Sequence, residues 1–520
     1  MTKIRNLVLV LGDQLNHDSA ALDEFDAQSD RIWMAENDEE STHVWCHKYR
    51  LVAFFAPMRH FRDECREAGR EVIYHELTAD RRKSRGSSFA SVLSRTLKDH
   101  DVRTVVMAHP GDHRVREQIR ETVADAGVEL REVEDRHYYC QPDEFEQWAE
   151  GRKTLVMETF YRSMRKKHGV LMDEDGDPVG GEWNYDRENR GTFGKTGPKD
   201  VPPVPSFEPD ATTRAVIEMV EGRFGDHPGS TDKFNLPVTR DQAIQYLDDF
   251  IEHRLAEFGT YQDAMWTDTE FLYHSRLSNA INLHLLSPRE VVDAAVDAYH
   301  RRALPINCVE GFVRQIIGWR EYVRGIYWTR MPEYADRNSL DCDPEQDVPS
   351  FFWDGETGMT CVADSMRLLI DHAYAHHIQR LMVLGLFAQL YGVHPDRFNR
   401  WHVAMYADAI DWVSVPNTIG MSQHGDGGLM ATKPYCASGK YVSRQGNYCS
   451  NCRYDPAKAV GDDACPFTTL YWDFLDRHAD RFRSNHRMGM QVRNLDNKPP
   501  EQLVEIRKRA DAIKRGKVKV

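Results

Sequence analysis

Four cysteines in the last hundred residues of this 520-residue chain have the spacing of metal ligands. Cys449 and Cys452 are separated by two residues, which lets both thiolates face one metal centre. Cys436 precedes this pair and Cys465 follows it, each across twelve intervening residues. The local spacing therefore predicts a four-cysteine centre, and zinc and an iron–sulfur cluster both fit it.

A second group of reactive side chains falls in residues 361–391, where the apolar pattern predicts one long helix. His372, His376 and Arg380 recur every four residues, so a continuous helix would carry them on one face. A histidine pair at this spacing can bind zinc, but the apolar run that follows is typical of a buried helix. For His376 and His377, a functional role and a structural role in the core are both open.

Three further segments combine groups that could hold a cofactor. Residues 401–417 contain Asp408, which could form a purely structural ion pair or an Asp–Arg pair against a polarised ring. Residues 271–282 (FLYHSRLSNAIN) offer hydroxyls and an arginine that suit a diphosphate. Residues 313–327 (VRQIIGWREYVRGIY) alternate arginines with aromatics, as in a phosphate clamp with a stacking platform or in an ordinary amphipathic helix.

The first part of the chain predicts a doubly wound α/β domain with a parallel sheet. Apolar runs indicate strands at 4–11, 31–35, 71–76, 103–108 and 128–134, with helices between them at 44–69, 88–100 and 113–126. In such a domain the ligand crevice lies at the carboxyl ends of the strands. No G-x-G-x-x-G follows the first strand, so a dinucleotide is not expected there, although another planar ligand could use the crevice.

Beyond residue 240 helical periodicity dominates and predicts an all-helical domain. Its helices are expected at 240–257, 288–302, 308–326, 361–391 and 466–482. We therefore divide the chain into an α/β domain (1–140), a connector (141–239) with a proline-rich linker, and a helical domain (240–520).

The charge, cysteine content and hydropathy of the chain limit what it can bind and where it is expected to act. A formal net charge of −15 argues against a uniformly basic nucleic-acid binder, but basic clusters at 161–168 and 507–520 leave room for a local groove or a solvated face. Ten cysteines in 520 residues are too sparse to suggest a disulfide framework. No run of 18 apolar residues is present, so no membrane span is predicted and the cytoplasm is the expected location.

Taken together, these segments resemble the cryptochrome/photolyase flavoproteins, and within them the bacterial branch that carries an iron–sulfur cluster and includes the prokaryotic (6-4) photolyases. The most specific segments are LVLVLGDQL, GGEWNYDRENR, GFVRQIIGWREYVRGIYW, HAYAHHIQRLM and the cysteines ending in Cys465-Pro466. The resemblance implies an α/β antenna domain followed by an all-α FAD-binding domain. It also implies a monomeric lyase that repairs (6-4) lesions in UV-damaged DNA with light.

Two other functions stay open at this stage. A blue-light photoreceptor would carry the same cofactors and show little repair, and its sequence features are nearly the same. A non-photochemical iron–sulfur or zinc protein that binds nucleic acid would lack flavin altogether.

The resemblance also assigns residues to FAD and to the reaction. Those expected to bind FAD are Ser275, Arg276, Leu277, Ser278, Gln315, Trp319, Arg320, Arg380, Asp408 and Asn417. His377 is expected to donate a proton to the lesion, helped by His376 or Tyr435. Leu381 stands where the animal enzymes have a second histidine. Trp353 and Trp401 are expected to relay electrons to the flavin.

For the metal, the branch implies a [4Fe–4S] cluster on Cys361, Cys449, Cys452 and Cys465, and it replaces Cys436 of the local interpretation by Cys361. The branch also implies a ribityl-lumazine antenna chromophore. From their position at the predicted crevice, Asp13, Gln14, Glu36 and Arg59 are expected to surround it.

Overall fold

The structure is a computed structural model that describes residues 2–84, 88–485 and 487–520. Five parallel strands form one sheet in the order β3-β2-β1-β4-β5. The strands are β1 (Thr2–Leu9), β2 (Arg31–Ala35), β3 (Val72–His75), β4 (His100–Ala108) and β5 (Glu129–Val133). This confirms the predicted doubly wound sheet, with β1 beginning and ending two residues earlier than expected.

The strands are buried on both faces, which explains their continuous apolar sequences. Along β1, Leu7 and Leu9 pack on one face of the sheet and Val8 packs on the other. The helices that cover the sheet are α1 (Asp38–Thr42), α2 (Lys48–Glu67), α3 (Phe89–Asp99) and α4 (His113–Asp125). The order of strands reverses direction between β1 and β4, so the crevice opens between their carboxyl ends.

The connector contains three helices, α5 (Pro142–Ala149), α6 (Met157–His168) and α7 (Ala211–Arg223). Between α6 and α7 the described chain has no helix or strand, which agrees with the predicted linker. The limits of the three predicted domains stay a prediction, because one hydrophobic core is continuous from the sheet into the helical part.

All described residues beyond Val133 lack strands, and the remainder of the chain is helical as predicted. Its α-helices are α8 (Arg240–His253), α9 (Leu255–Tyr261), α10 (Ser278–Asn282), α11 (Pro288–Arg302), α12 (Ile306–Val313), α13 (Glu321–Arg330), α14 (Phe351–Asp354), α15 (Thr360–His372), α16 (His377–Gln379), α17 (Leu386–Tyr391), α18 (Pro395–Met405), α19 (Asp411–Val415), α20 (Gly439–Gln445), α21 (Pro466–Arg477), α22 (Ala479–Arg483), α23 (Gly489–Asp496) and α24 (Pro500–Lys514). Short 3₁₀ helices span Ala20–Leu22 and Tyr448–Asn451.

The single helix predicted over 361–391 is wrong. α15 ends at His372 because Ala373 takes a left-handed backbone with φ of 48° and closes the helix. The chain turns helical again only after His376, which precedes α16. His372 and His376 therefore do not share a helix face, as a continuous helix would have required.

Three π-helical segments interrupt the helices of this region: Arg314–Arg320, Arg380–Gly385 and Pro416–Ser422. A π-turn holds one extra residue, which rotates the side chains that follow and is common at functional sites. Each of the three segments reaches the same cavity, described below.

The basic C-terminal segment is docked on the protein. Arg507 pairs with Asp476, and Lys514 pairs with Asp473 at 2.5 Å. These contacts join α24 to α21, and they pair two of the seven Lys and Arg side chains of residues 507–520 with acidic residues of α21. Within the described residues, no helix combines the length and the apolar character needed to cross a bilayer.

Candidate active site

A cavity of about 330 Å³ lies within the helical part of the chain, and we call it the central cavity. All ten residues that the sequence assigned to FAD line it: Ser275, Arg276, Leu277, Ser278, Gln315, Trp319, Arg320, Arg380, Asp408 and Asn417. They come from α10 and the loop before it, from the three π-helical segments and from the loop after α18. Residues more than a hundred positions apart in the sequence thus meet at one site.

A bidentate ion pair forms one wall of the central cavity. The Arg380 guanidinium donates to both carboxylate oxygens of Asp408 at 2.9 and 3.1 Å, and the Ser278 hydroxyl donates to the same carboxylate at 2.5 Å. Burial disfavours the charge of Asp408, but Arg380 and Ser278 outweigh it and hold the pKa of that carboxyl below its usual value. The pair therefore stays ionised beside the cavity at neutral pH.

Two asparagines of α10 fix the loop that carries Asp408. The side-chain amide of Asn282 donates to the Asp408 carbonyl at 2.8 Å, and that of Asn279 donates to the Ala407 carbonyl at 3.2 Å. The sequence interpretation did not assign these residues. They lie in the same FLYHSRLSNAIN segment as Ser278, and this position could have indicated that they belong to the site.

Arg276 has a strained backbone at the cavity wall, with φ of 54°. Its guanidinium donates to the Tyr246 hydroxyl at 2.9 Å and to the Asn235 side chain at 3.2 Å, and it lies 3.8 Å from the centre of the Phe271 ring. Its Nε has no hydrogen-bond partner among the described residues. The side chain is thus held in position by neighbours and keeps one buried donor free for a ligand.

Three histidines gather where the central cavity opens. The rings of His274 and His376 stack with centroids 4.3 Å apart, and neither nitrogen of His376 finds a partner among the described residues. Burial lowers the pKa of His274 to about 3 and that of His376 well below its usual value. His274 was missed by the sequence interpretation, although it opens the HSRLS segment.

His377 faces the open part of the site. Its side chain is exposed within the cavity, although protein atoms surround that space on its other sides. This enclosure and the positive charge of Arg380 lower the pKa of His377 to about 4. The ring is therefore neutral at pH 7 when nothing negative is bound beside it.

A second, larger cavity of about 780 Å³ adjoins the first, and we call it the outer cavity. Seven residues line both cavities: Phe258, His274, Gln315, Trp319, His377, Leu381 and Met421. Tyr435 and Cys436 line only the outer cavity. Arginines and a lysine surround its polar part together with three acidic residues, namely Arg190, Arg314, Lys433, Arg444, Arg487, Glu158, Asp186 and Asp263.

The two predicted electron-relay tryptophans do not line the central cavity. Trp401 is buried, and its indole N–H donates to the Phe352 carbonyl at 2.8 Å. Its ring lies 5.9 Å from that of Tyr406, which in turn lies under the Arg380 guanidinium at 4.2 Å. Trp353 packs at 5.1 Å against Trp45, whose side chain is 47% exposed.

Four cysteines line one small cavity of about 10 Å³, which we call the four-cysteine cavity. They are Cys361, Cys449, Cys452 and Cys465, the set implied by the resemblance, and Cys436 is not among them. Burial together with the other three thiols raises the pKa of Cys361. In the part of the chain that the structure describes, no three His, Cys, Asp or Glu side chains are grouped closely enough to hold one metal ion.

The crevice of the parallel sheet contains a further cavity, the crevice cavity, of about 130 Å³. It lies beyond the carboxyl ends of β1 and β4, where Asp13 and Asp112 follow the strands. Ligand crevices of doubly wound sheets lie at this point, where the strand order reverses. Asp411 reaches it from the helical part. Burial, with a contribution from Asp112, raises the pKa of Asp13 and of Asp411 to about 7.

Of the four residues predicted around an antenna chromophore, only Asp13 lines the crevice cavity. Glu36 and Arg59 instead form a buried bidentate pair with each other at 2.7 and 2.9 Å, because each charge needs a partner away from water. Gln14 donates to the carbonyls of Ala108 and His109. The residues that line the cavity in their place include Glu40, Arg50, Phe54, Met58, Asp112 and Asp411.

Comparisons with known proteins find a relative over nearly the whole chain. The model of the family described as deoxyribodipyrimidine photo-lyase-related protein matches residues 8–236. A "(6-4) photolyase" from Agrobacterium fabrum is 45% identical over 486 residues, which are 93% of this chain and 94% of that protein.

Solved structures share the fold. The crystal structure of a bacterial class III photolyase from Agrobacterium tumefaciens aligns with a TM-score of 0.56 and 15% identity, covering 97% of this chain and 92% of that one. A cryptochrome from Synechocystis aligns with a TM-score of 0.51 and 12% identity, covering 81% and 83%. At these identities the likeness shows the fold alone.

Proposed function

We propose, from the premise that this chain belongs to the photolyase family, that it is a light-driven lyase that repairs (6-4) pyrimidine–pyrimidone photoproducts in DNA. The observation that carries the proposal is the pair of joined cavities. The ionised Arg380–Asp408 pair faces the central cavity, and His377 stands where that cavity meets the outer one.

FAD fits the central cavity by the chemistry of its walls. The unbonded Nε of Arg276 and the hydroxyls of Ser275 and Ser278 suit a diphosphate, while the Arg380–Asp408 pair offers a fixed charge to a polar ring. When bound, reduced and excited by light, FAD supplies the electron that opens the lesion and receives it back. The protein's own task is to bind, orient and exclude water.

His377 would hold the proton that the lesion needs. It lines both cavities, so a damaged base in the outer cavity would meet its ring directly. With a pKa of about 4 in the DNA-free protein, the ring must gain basicity on binding. The phosphates of bound DNA would supply that change, because a nearby negative charge favours the imidazolium. Neutral His376 and the Tyr435 hydroxyl would support its position.

The outer cavity suits a nucleotide turned out of the duplex. Trp319 and Tyr435 offer ring faces for a base, and cations such as Arg444 and Arg487 are available for the flanking phosphates. A damaged base costs less to unstack than a paired one, so the site would select lesions partly through the duplex. We further propose that the protein acts on DNA as a monomer and in the cytoplasm.

Two further groups belong to the proposal. A [4Fe–4S] cluster would be held by the four thiols of the four-cysteine cavity, because such clusters are bound by four cysteine thiolates. A ribityl-lumazine would occupy the crevice cavity, with its hydroxyls near Asp13 and Asp411 and its rings near Phe54. We also propose that the boundaries near residues 140 and 240 separate an antenna domain from the catalytic helical domain.

The test is repair of a synthetic (6-4) oligonucleotide under blue light with reduced protein, beside a dark control. We expect the two original pyrimidines to return only in the light. If flavin is bound and no repair occurs, equal affinity for damaged and intact DNA would identify a photoreceptor instead. A colourless protein without flavin absorbance would contradict both and leave a non-photochemical nucleic-acid binder.

A further inference from the structure

One short helix lies between the four-cysteine cavity and the outer cavity. Gly439 and Val442 of α20 line the four-cysteine cavity, whereas Tyr441, Arg444 and Gln445 line the outer cavity. An α-helix has 3.6 residues per turn, so Gly439 lies on the opposite face of α20 from Tyr441 and Arg444. The helix is therefore the wall that the two cavities share.

Both ends of α20 are fixed to the protein. At its start the Gly439 N–H donates to the Thr468 hydroxyl at 3.0 Å, and Thr468 lies on α21 three residues after Cys465. At its end the Gln445 carbonyl accepts from the Met265 N–H at 2.8 Å. The position of the helix thus depends on the segment that carries Cys465.

The contact between Gly439 and Cys465 leaves no spare room. A Cβ atom at Gly439 would lie 2.7 Å from the Cys465 sulfur and 3.2 Å from the Thr468 hydroxyl oxygen. Any side chain at this position must therefore move the helix or the thiol. Because the thiol would be held by the metal centre, we expect the helix to move.

The opposite face of α20 carries groups suited to nucleic acid. Tyr441 is partly buried and offers an aromatic ring, and Arg444 is exposed with its guanidinium toward the outer cavity. Among the described residues, no carboxylate lies within 4 Å of the Arg444 guanidinium. Other arginines, such as Arg190 and Arg507, do form ion pairs. Stacking and phosphate contact are the two interactions that single-stranded nucleotides use.

From this arrangement we infer that α20 is a positioning element: the four-cysteine centre sets where Tyr441 and Arg444 meet the DNA next to the lesion. The inference rests on the proposed function, since it assumes that the outer cavity receives DNA. It gives the centre a task in substrate binding that is separate from flavin binding and from the transfer of the electron.

The direct test is Gly439→Ala, with Gly489→Ala as the matched control, because a Cβ at Gly489 meets no atom within 4 Å. Affinity for a (6-4) duplex is measured by fluorescence anisotropy, and FAD and iron are measured per chain. We expect Gly439→Ala to weaken binding about tenfold, the size of one lost contact. FAD content and repair at saturating DNA should stay at the wild-type level.

A double-mutant cycle separates positioning from general damage. Arg444→Gln should weaken DNA binding and reduce its salt dependence by about one phosphate contact. If Gly439 acts through Arg444, the double variant should lose much less than the product of the two single losses. Independent, multiplicative losses would contradict the inference.

The other outcomes show whether the proposed function or only the inference is wrong. If the wild-type protein binds no lesion DNA, the proposed function fails and the inference fails with it. If the wild type binds and Gly439→Ala binds equally well with FAD and iron intact, the inference alone is wrong. If Gly439→Ala does not fold, Val442→Ala replaces it, since Val442 is buried on the same face and its truncation should loosen the helix.

Discussion

Asp408, in the loop after α18, and Asp411, the first residue of α19, lie three positions apart and face different cavities. Asp408 lines the central cavity with Arg380, whereas Asp411 lines the crevice cavity and accepts a hydrogen bond from the Tyr327 hydroxyl. Their protonation differs as well: the pKa of Asp408 is lowered, and burial raises that of Asp411 to about 7. One stretch of chain thus carries a permanent charge to one site and a titrating acid to the other.

We expect Asp408→Asn to lose FAD and Asp411→Asn to retain it. Asp408→Asn leaves the Arg380 charge without its partner, and breaking a buried pair in this way costs about 3–5 kcal/mol. The variant should be purified with little FAD. Asp411 is close to half protonated at pH 7, so an amide of the same shape should be tolerated and FAD should be retained. The ratio of FAD to protein by absorbance measures both, and equal FAD loss in the two variants would contradict the assignment.

His377→Ala should abolish most repair and keep FAD. Loss of a general acid lowers a rate by about 10²- to 10⁴-fold, and His377 is not needed to fix the Arg380–Asp408 pair. Repair should also fall as pH rises through the pKa of His377 in the DNA complex, because only the imidazolium donates a proton. Repair rates from pH 5 to 9 at saturating DNA test this, with the exposed His300→Ala as control. An unchanged rate would remove His377 from the mechanism.

The sequence predicted the sheet well because buried parallel strands leave long apolar runs. β2 was predicted at its observed limits, and the crevice was expected at the carboxyl ends of the strands, where it lies. The prediction of one helix over 361–391 failed at residues 373–376, because the helix ends where Ala373 takes a left-handed backbone conformation. Alanine is a strong helix former, so no local pattern indicated that the helix would end there.

The lining of the central cavity was predicted from family motifs, whereas only Asp13 was predicted correctly among the residues that line the crevice cavity. Ser278 and Asp408 belong to recognisable segments, and the fold brings them to 2.5 Å. Glu36 and Arg59 were chosen for their position near a strand end, but position cannot show which charges pair with each other. Their mutual ion pair is a tertiary contact between β2 and α2 that neither segment reveals alone.

Cys452→Ala and Cys436→Ala should separate the metal centre from a spare thiol. Cys452 lines the four-cysteine cavity and Cys436 lines the outer cavity, so only Cys452→Ala should lose iron and inorganic sulfide. Because metal binding and folding are linked, we also expect that variant to be poorly soluble. Chemical iron and sulfide analysis gives the readout. A soluble, FAD-loaded Cys452→Ala protein would show that the centre is not structural.

Stability should rise with pH between about 4 and 6.5, with His47 as one cause. His47 is buried and neutral: its Nδ1 accepts from the Tyr49 N–H at 3.0 Å and its Nε2 donates to the Ile370 carbonyl at 2.9 Å. Burial lowers the pKa of His47 to about 4, while the unfolded chain titrates near 6.5. Below pH 6.5 the unfolded state binds the extra proton, so folding loses about 1.4 kcal/mol per pH unit for this group.

The measurement is urea unfolding of the wild type and His47→Gln at pH 5 and pH 7. Glutamine can keep one of the two hydrogen bonds and does not titrate. The difference in unfolding free energy between the two pH values should therefore shrink in His47→Gln by about 2 kcal/mol. An unchanged difference would mean that His47 is not protonated on unfolding.

Trp401→Phe should slow the photoreduction of oxidised flavin and leave repair by chemically reduced protein intact. Trp401 is buried next to Tyr406, which touches Arg380 at the central cavity, so it is a short route for an electron from outside. Phenylalanine keeps most of the packing but is far harder to oxidise. Flavin absorbance under blue light with an external reductant measures the rate, and Trp472→Phe on α21 is the matched control. Equal photoreduction in wild type and Trp401→Phe would exclude Trp401 from the relay, and slow photoreduction in both variants would point to a general effect of losing a tryptophan.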